Sequence, residues 1–148
     1  MCGIVAIINK DKKSIDSNLL AKMASTIHHR GPDDNGVMID GSVGFFHKRL
    51  SIIDISSGQQ PMTFDNCTIV FNGEIYNYIE LRKELKKKGH QFQTSSDTEV
   101  ILHMYSEYGS EFVNLLNGMF AFIIYDKNKN EIFIARDHFG IKPFKNYF

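Results

Sequence analysis

The chain has 148 residues, 43% of them hydrophobic, and 17 basic residues balance 17 acidic ones for a formal net charge of zero. That length and apolar fraction suit one globular domain with a buried core, and the balanced charge gives no footprint for nucleic acid or an anionic membrane. No run approaches the roughly 20 apolar residues of a membrane span, no basic segment precedes the N-terminal apolar run, and residue 2 is Cys rather than the Gly of a myristoylation signal.

In chain order, IVAII behind Cys2-Gly3 reads as a buried strand from its β-branched content. Asp16 or Ser17 caps a predicted helix through His28, with Leu19, Leu20, Met23 and Ile27 on one face. HHRGPDDNG ends it, since Gly31-Pro32 is a strong breaker. GVMID and SVGFFHKRLSIID are predicted strands, and SSGQQP closes the second. CTIVFNG is another strand. A helix follows, with Tyr78, Leu81 and Leu85 at helical spacing, lysines in its last turn and Gly89 just past the end. HQFQT reads as a short strand, and Ser96 with Glu99 forms a capping box for a helix carrying Val100, Met104 and Tyr108. Ser110 is the predicted cap of a short helix that Gly118 closes. MFAFIIYD and EIFIARD, joined by KNKN, form a hairpin. The mixture predicts an α+β domain in which helices cover antiparallel sheets.

The two cysteines, Cys2 and Cys67, do not make a disulfide framework. Neither has a CxxC partner and the six histidines are scattered, so no zinc site is expected. Cys67, at the mouth of an apolar run, is expected to be a buried small hydrophobe. Cys2 is different, because chain ends see solvent and hide a cysteine poorly. It reads as the start of a strand, as a remnant of a membrane-targeting segment, or as a nucleophile whose base is its own α-amino group. An α-amino pKa of roughly 7.7–8.0 lies close to a thiol's 8.5, the matching that general base catalysis uses.

Asn72-Gly73 in FNGEIYN has two readings. One is a tight hairpin turn. The other is a pair of donors for an oxyanion, the Asn72 amide with the Gly73 N–H. Arg49 is either a surface arginine or a bidentate clamp on a carboxylate, which Lys48 cannot imitate. Asp97 is either an acid stabilised by a helix N-terminus or a partner for a substrate ammonium. Taken together, Arg49 and Asp97 would read the zwitterionic head of an amino acid. His28, His29 and His47 are alternative bases for a cysteine nucleophile.

The order of these segments carries more than any one of them. CGIVAI, HHRGPDDNG, HKRLSIID, VFNGEIYN, SSDTEVI, NGMFAFIIYD and ARDHFGIKP resemble, nearly end to end, the glutamine amidotransferase domain of asparagine synthetases, an N-terminal-nucleophile hydrolase. The spelling RLSIID followed by NGEIYN is similar to that branch rather than to its relatives in the superfamily. The resemblance implies a four-layer αββα sandwich of two antiparallel sheets. It implies that Cys2 forms a thioester with the side-chain carbonyl of glutamine, with the oxyanion held by Asn72 and Gly73. Arg49 would bind the α-carboxylate and Asp97 the α-ammonium. Leu50, Ser51, Ile52 and Ile53 would line the pocket through their backbone, as would Glu74.

The resemblance further implies L-glutamine as substrate and a synthetase domain or subunit as partner for the ammonia. It implies no cofactor in residues 1–148, ATP and Mg belonging to the synthetase part. No SGG-type pyrophosphate loop occurs here, so 1–148 is expected to be the glutaminase domain alone, incomplete at its C-terminus. A cytoplasmic location, no metal, no nucleic acid and no membrane are expected, and a homodimer is compatible with the sequence. The competing reading is a non-catalytic remnant that binds glutamine or a synthetase partner.

Overall fold

The computed structural model describes residues 2–50 and 58–147. Its elements are β1 (Gly3–Ile8), α1 (Ser17–Thr26), β2 (Asp34–Asp40), β3 (Val43–Arg49), β4 (Met62–Phe64), β5 (Cys67–Ile75), α2 (Tyr78–Lys87), α3 (Asp97–Tyr108), β6 (Gly118–Asp126) and β7 (Glu131–Arg136). Two 3-10 turns, His28–Arg30 and Gly109–Leu115, complete them. The strands form two antiparallel sheets, β1-β3-β2 and β4-β5-β6-β7.

Layering follows from the period-two alternation of strands. Val43 and Phe45 of β3 meet Val70 of β5 and Ile123 and Tyr125 of β6, closing a core between the sheets. The intervening residues turn the other way. Ile69 and Phe71 of β5 and Phe120, Phe122 and Ile124 of β6 pack on Leu81 and Leu85 of α2 and on α3. On the outer side of the first sheet, Leu20 and Ala24 of α1 are fully buried over β3. The layers therefore run α1, sheet, sheet, α2 with α3, which is the expected αββα sandwich.

Several expectations need correction. Helix α1 is capped by Asp16, whose side chain accepts from Asn18 and Leu19 N–H. It ends at Thr26, before His28. Its buried stripe is Leu20 and Ala24, while Leu19 and Met23 are 49% and 41% exposed, because each step along a helix rotates a side chain by about 100°. HQFQT is not a strand. The N–H groups of Gln93 and Thr94 go to the Glu99 carboxylate at 2.7 and 2.8 Å instead of to a neighbouring strand. That also changes the capping box. Ser96 caps α3 through Thr98 N–H, worth about 1 kcal/mol, but Glu99 reaches back to residues 93 and 94 rather than to Ser96.

Segment 109–115 is a 3-10 turn without a side-chain cap, so Ser110 does not act as one. The short strand β4 had no signal of its own in the sequence. Helix α2 ends as predicted: His90 N–H donates to the Leu85 carbonyl and Gly89 N–H to that of Lys86, a Schellman ending. Cys67 is half-buried rather than buried and, like Cys2, is a free thiol. Burial, then the nearby Asp126, pushes its thiol up to about 11. Among the described residues no helix is long and apolar enough to cross a membrane, and no three His, Cys, Asp or Glu side chains are placed to hold a metal ion.

Candidate active site

The cavity lies where the two sheets meet at the C-terminal end of β3. Cys2 enters from just before β1, with Arg49 and Leu50 from the end of β3. Asn72, Gly73 and Glu74 come from β5, and Asp97 from the first turn of α3. Seven of the ten predicted site residues thus share one cavity. Ser51, Ile52 and Ile53 lie outside the described residues, as does Met1.

The Cys2 thiol sits against the backbone of Leu50, its Sγ 3.4 Å from the Leu50 N–H and 3.5 Å from the carbonyl. The Cys2 carbonyl accepts from Arg30 Nε at 3.2 Å. In the amide orientation that satisfies both of its neighbours, Asn72 donates from Nδ2 to the Cys2 carbonyl at 3.1 Å. It also accepts from Arg30 Nη2 on Oδ1 at 3.2 Å. Cys2, Asn72 and Arg30 therefore close a triangle. An amide nitrogen has two hydrogens, so one of the two remains for a ligand. Arg30 arrives because Gly31 lies against the end of β3, where a Cβ would come within 2.3 Å of the Lys48 carbonyl oxygen.

Asn72-Gly73 is no hairpin turn: both residues lie within β5, paired with Ala121 and Phe120 of β6. The Phe120 N–H and carbonyl both turn to Asp137. In an antiparallel pair this makes Gly73 and Phe120 a non-hydrogen-bonded pair, so the Gly73 N–H points away from β6, toward the cavity. On the same edge the Phe71 N–H goes to Gln60 Oε1 at 2.6 Å and the Ile75 N–H to Asp97 Oδ2 at 3.1 Å. Gly73 lies between these two side-chain-satisfied positions. A Cβ there would sit 2.2 Å from the Met119 carbonyl oxygen, so only glycine lets β5 and β6 approach this closely.

Asp97 is 4% exposed. Burial pushes its carboxyl up to about 6, against the pull of the N–H groups of Ile75 and Thr98. Arg49 is also buried, at 5%. His47 is buried with Nε2 on the Phe71 carbonyl, and burial pushes it down to about 4, so its ring is neutral. His28 and His29 are exposed on the turn after α1. Among the described residues no histidine lines the cavity with Cys2, and the Cys–His alternative has no geometric support.

Arg30, Gln60, Thr98 and Lys142 are among the residues of this site that were not singled out from sequence. Arg30, Thr98 and Lys142 lie inside HHRGPDDNG, SSDTEVI and ARDHFGIKP, so the motifs held a signal. Gln60 had none. Lys142 is 1% exposed and lines the cavity. Burial, then the neighbouring Arg30, holds its pKa below the ordinary lysine value, while Asp137, Glu74 and Cys2 act in the opposite direction. Asp137 builds that loop by accepting from Phe120, Ile141 and Lys142 N–H at 3.2, 2.9 and 3.0 Å.

The sequence profile of the family described as "Glutamine amidotransferase domain" matches residues 1–147. "Asparagine synthetase [glutamine-hydrolyzing] 1" of Bacillus subtilis is 50% identical over 148 residues, which are 97% of this chain and 23% of that protein. The Arabidopsis thaliana protein of the same name is 43% identical over 144 residues, 95% of this chain and 24% of its own length. The chain thus spans about a quarter of these relatives. Among solved structures, the glutamine phosphoribosylpyrophosphate amidotransferase of B. subtilis superposes with a TM-score of 0.79 over 95% of this chain and 38% of its own. At 20% identity that likeness speaks for the fold alone. Motif order, sandwich and profile agree: the chain belongs to the glutamine amidotransferase domain family.

Proposed function

We propose that this chain hydrolyses the side-chain amide of L-glutamine, with Cys2 as nucleophile and its α-amino group, freed by removal of Met1, as base. The observation that carries the reading is the meeting of four chemistries in one cavity. These are a thiol at the chain start, two donors on β5, a buried arginine and a buried carboxylate.

Arg49 would take the α-carboxylate of glutamine and Asp97 its α-ammonium, fixing one end of the substrate so that the amide carbon meets Cys2 Sγ. The thiol passes its proton to the α-amine as sulfur attacks. The oxyanion that forms accepts from the second hydrogen of Asn72 Nδ2 and from the Gly73 N–H. The tetrahedral species collapses, the protonated amine gives its proton to the departing nitrogen, and ammonia leaves a glutamyl thioester. Water then attacks with the same amine as base, releasing glutamate and restoring the thiol. Leu50 holds the thiol, and Arg30 holds both Cys2 and Asn72. The backbone of Ser51, Ile52, Ile53 and Glu74 would complete the pocket.

The relatives' names support a use for the ammonia. It would go to an ATP- and Mg-dependent asparagine-forming domain or subunit outside these 148 residues, and no cofactor would act within them. Two free thiols suit a reducing compartment such as the cytoplasm. The test is glutamate release from glutamine by the processed chain and by Cys2→Ala. Turnover confined to the wild type is expected, and equal turnover in both would overturn the reading.

A further inference from the structure

The β4–β5 ladder stops short, and its register shows what continuing would do. Met62 pairs with Ile69, Thr63 with Thr68 and Phe64 with Cys67. Extended two residues at a time, the same register sets Gln60 opposite Phe71 and Gly58 opposite Gly73. Such opposite residues exchange both of their backbone hydrogen bonds. A continued ladder would therefore spend the Gly73 N–H on the Gly58 carbonyl.

Two buried side chains interrupt it. Gln60 Oε1 accepts the Phe71 N–H at 2.6 Å, where the backbone carbonyl of residue 60 belongs in a ladder. His47 Nε2 sits 3.2 Å from the Phe71 carbonyl, where the backbone N–H of residue 60 belongs. Gln60 and His47 are 7% and 1% exposed. The displaced backbone of Gln60 turns onto the other sheet, where only a glycine at position 36 leaves room, a Cβ there falling 1.8 Å from the Gln60 carbonyl oxygen. The second arm of the amide, Nε2, donates to Thr98 Oγ1 at 3.3 Å, one residue beyond Asp97.

We propose that Gln60, with His47 beside it, is a positioning residue for amide hydrolysis: it ends the β4–β5 ladder with a side chain and so keeps the Gly73 N–H turned into the cavity as an oxyanion donor. Its Thr98 bond also ties the oxyanion edge of β5 to the start of α3, holding the two ends of the substrate site at a fixed separation. This inference rests on the glutaminase reading above.

The test compares the processed wild-type chain with Gln60→Met and Gln60→Glu. Met has similar volume but cannot accept the Phe71 N–H, whereas Glu keeps an acceptor at the same reach. An oxyanion donor is worth roughly 10²–10³ in rate. Gln60→Met is therefore expected to lose about 10²-fold in kcat with KM for glutamine changed by no more than about threefold, and Gln60→Glu to regain at least about tenfold. The Gly73 amide resonance in a 1H–15N spectrum should move in Gln60→Met and return in Gln60→Glu. Unchanged kcat in Gln60→Met, or equal losses in both variants with an unmoved Gly73 amide, overturns the inference. If Gln60→Met does not fold, Gln60→Glu decides alone: near-normal kcat and Gly73 amide support it, and a full loss refutes it. Glutamate formation that survives Cys2→Ala is a separate result, which refutes the glutaminase reading while the Gly73 amide still reports on Gln60.

Discussion

Replacing Asp97 by Asn is predicted to stabilise the empty fold while disabling the site. Burial raises the Asp97 carboxyl to about 6 from 3.8, so the folded state binds the proton more tightly than the unfolded chain. For a raised acid, stability falls as pH rises from the unfolded to the folded value and stays at the lower level above it. At 1.36 kcal/mol per pKa unit, the ionised carboxylate costs the fold about 3 kcal/mol at pH 7 and about 1 kcal/mol at pH 4.5. Asn keeps an oxygen for the Ile75 N–H and removes the charge. Urea denaturation should therefore show Asp97→Asn more stable by up to about 3 kcal/mol at pH 7, roughly 6–12 °C in Tm, with the gap shrinking to about 1 kcal/mol at pH 4.5. Glutamine should lose its ammonium partner, raising KM roughly 10²–10³-fold, as when one member of a buried pair is removed. A variant less stable than wild type at pH 7, or a gap independent of pH, would refute the reasoning.

The same ionisation predicts that wild-type KM for glutamine rises as pH falls below about 6, measured by steady-state assays across that range. Arg49→Lys should raise KM roughly ten- to a hundredfold with kcat little changed, because a point charge replaces a bidentate fork. Gly73→Ala must push β5 from β6, since its Cβ meets backbone. Urea unfolding should register a loss of about 1–3 kcal/mol or more, with kcat falling as well. Arg82 donates to the Thr94 and Ser96 carbonyls at 2.5 and 2.8 Å and lies over the Phe92 ring. Arg82→Met should cost about 2 kcal/mol in denaturation and raise KM several-fold by releasing the segment that presents Asp97.

What was legible in the sequence is what local patterning dictates. The hairpin at KNKN, the Gly89 helix end, the Asp16 cap and the apolar runs that form β3, β5 and β6 follow from residues within a few positions of one another. HQFQT misled because its alternation is real but its N–H groups belong to Glu99, and Phe92 packs against His103 at 4.3 Å between ring centroids rather than on a sheet. Arg30 and Gln60 were not found because their partners are distant in sequence. Arg30 meets Cys2 28 residues away, and Gln60 meets Thr98 38 residues away. No window along the chain contains either contact. Cys2, Arg49, Asn72, Gly73 and Asp97 were reached from their chemistry and from motif order, and the fold brings all five to one cavity.

A covalent glutamyl intermediate on Cys2 is what the proposed reaction requires. Its most direct measurement is intact and peptide-mapped mass spectrometry of the chain, acid-quenched during turnover of isotope-labelled glutamine. A Met1-free chain carrying one glutamine less one ammonia, localised to Cys2, is expected. Labelled glutamate formed by a chain that never carries such an adduct, with Cys2→Ala equally active, would contradict it.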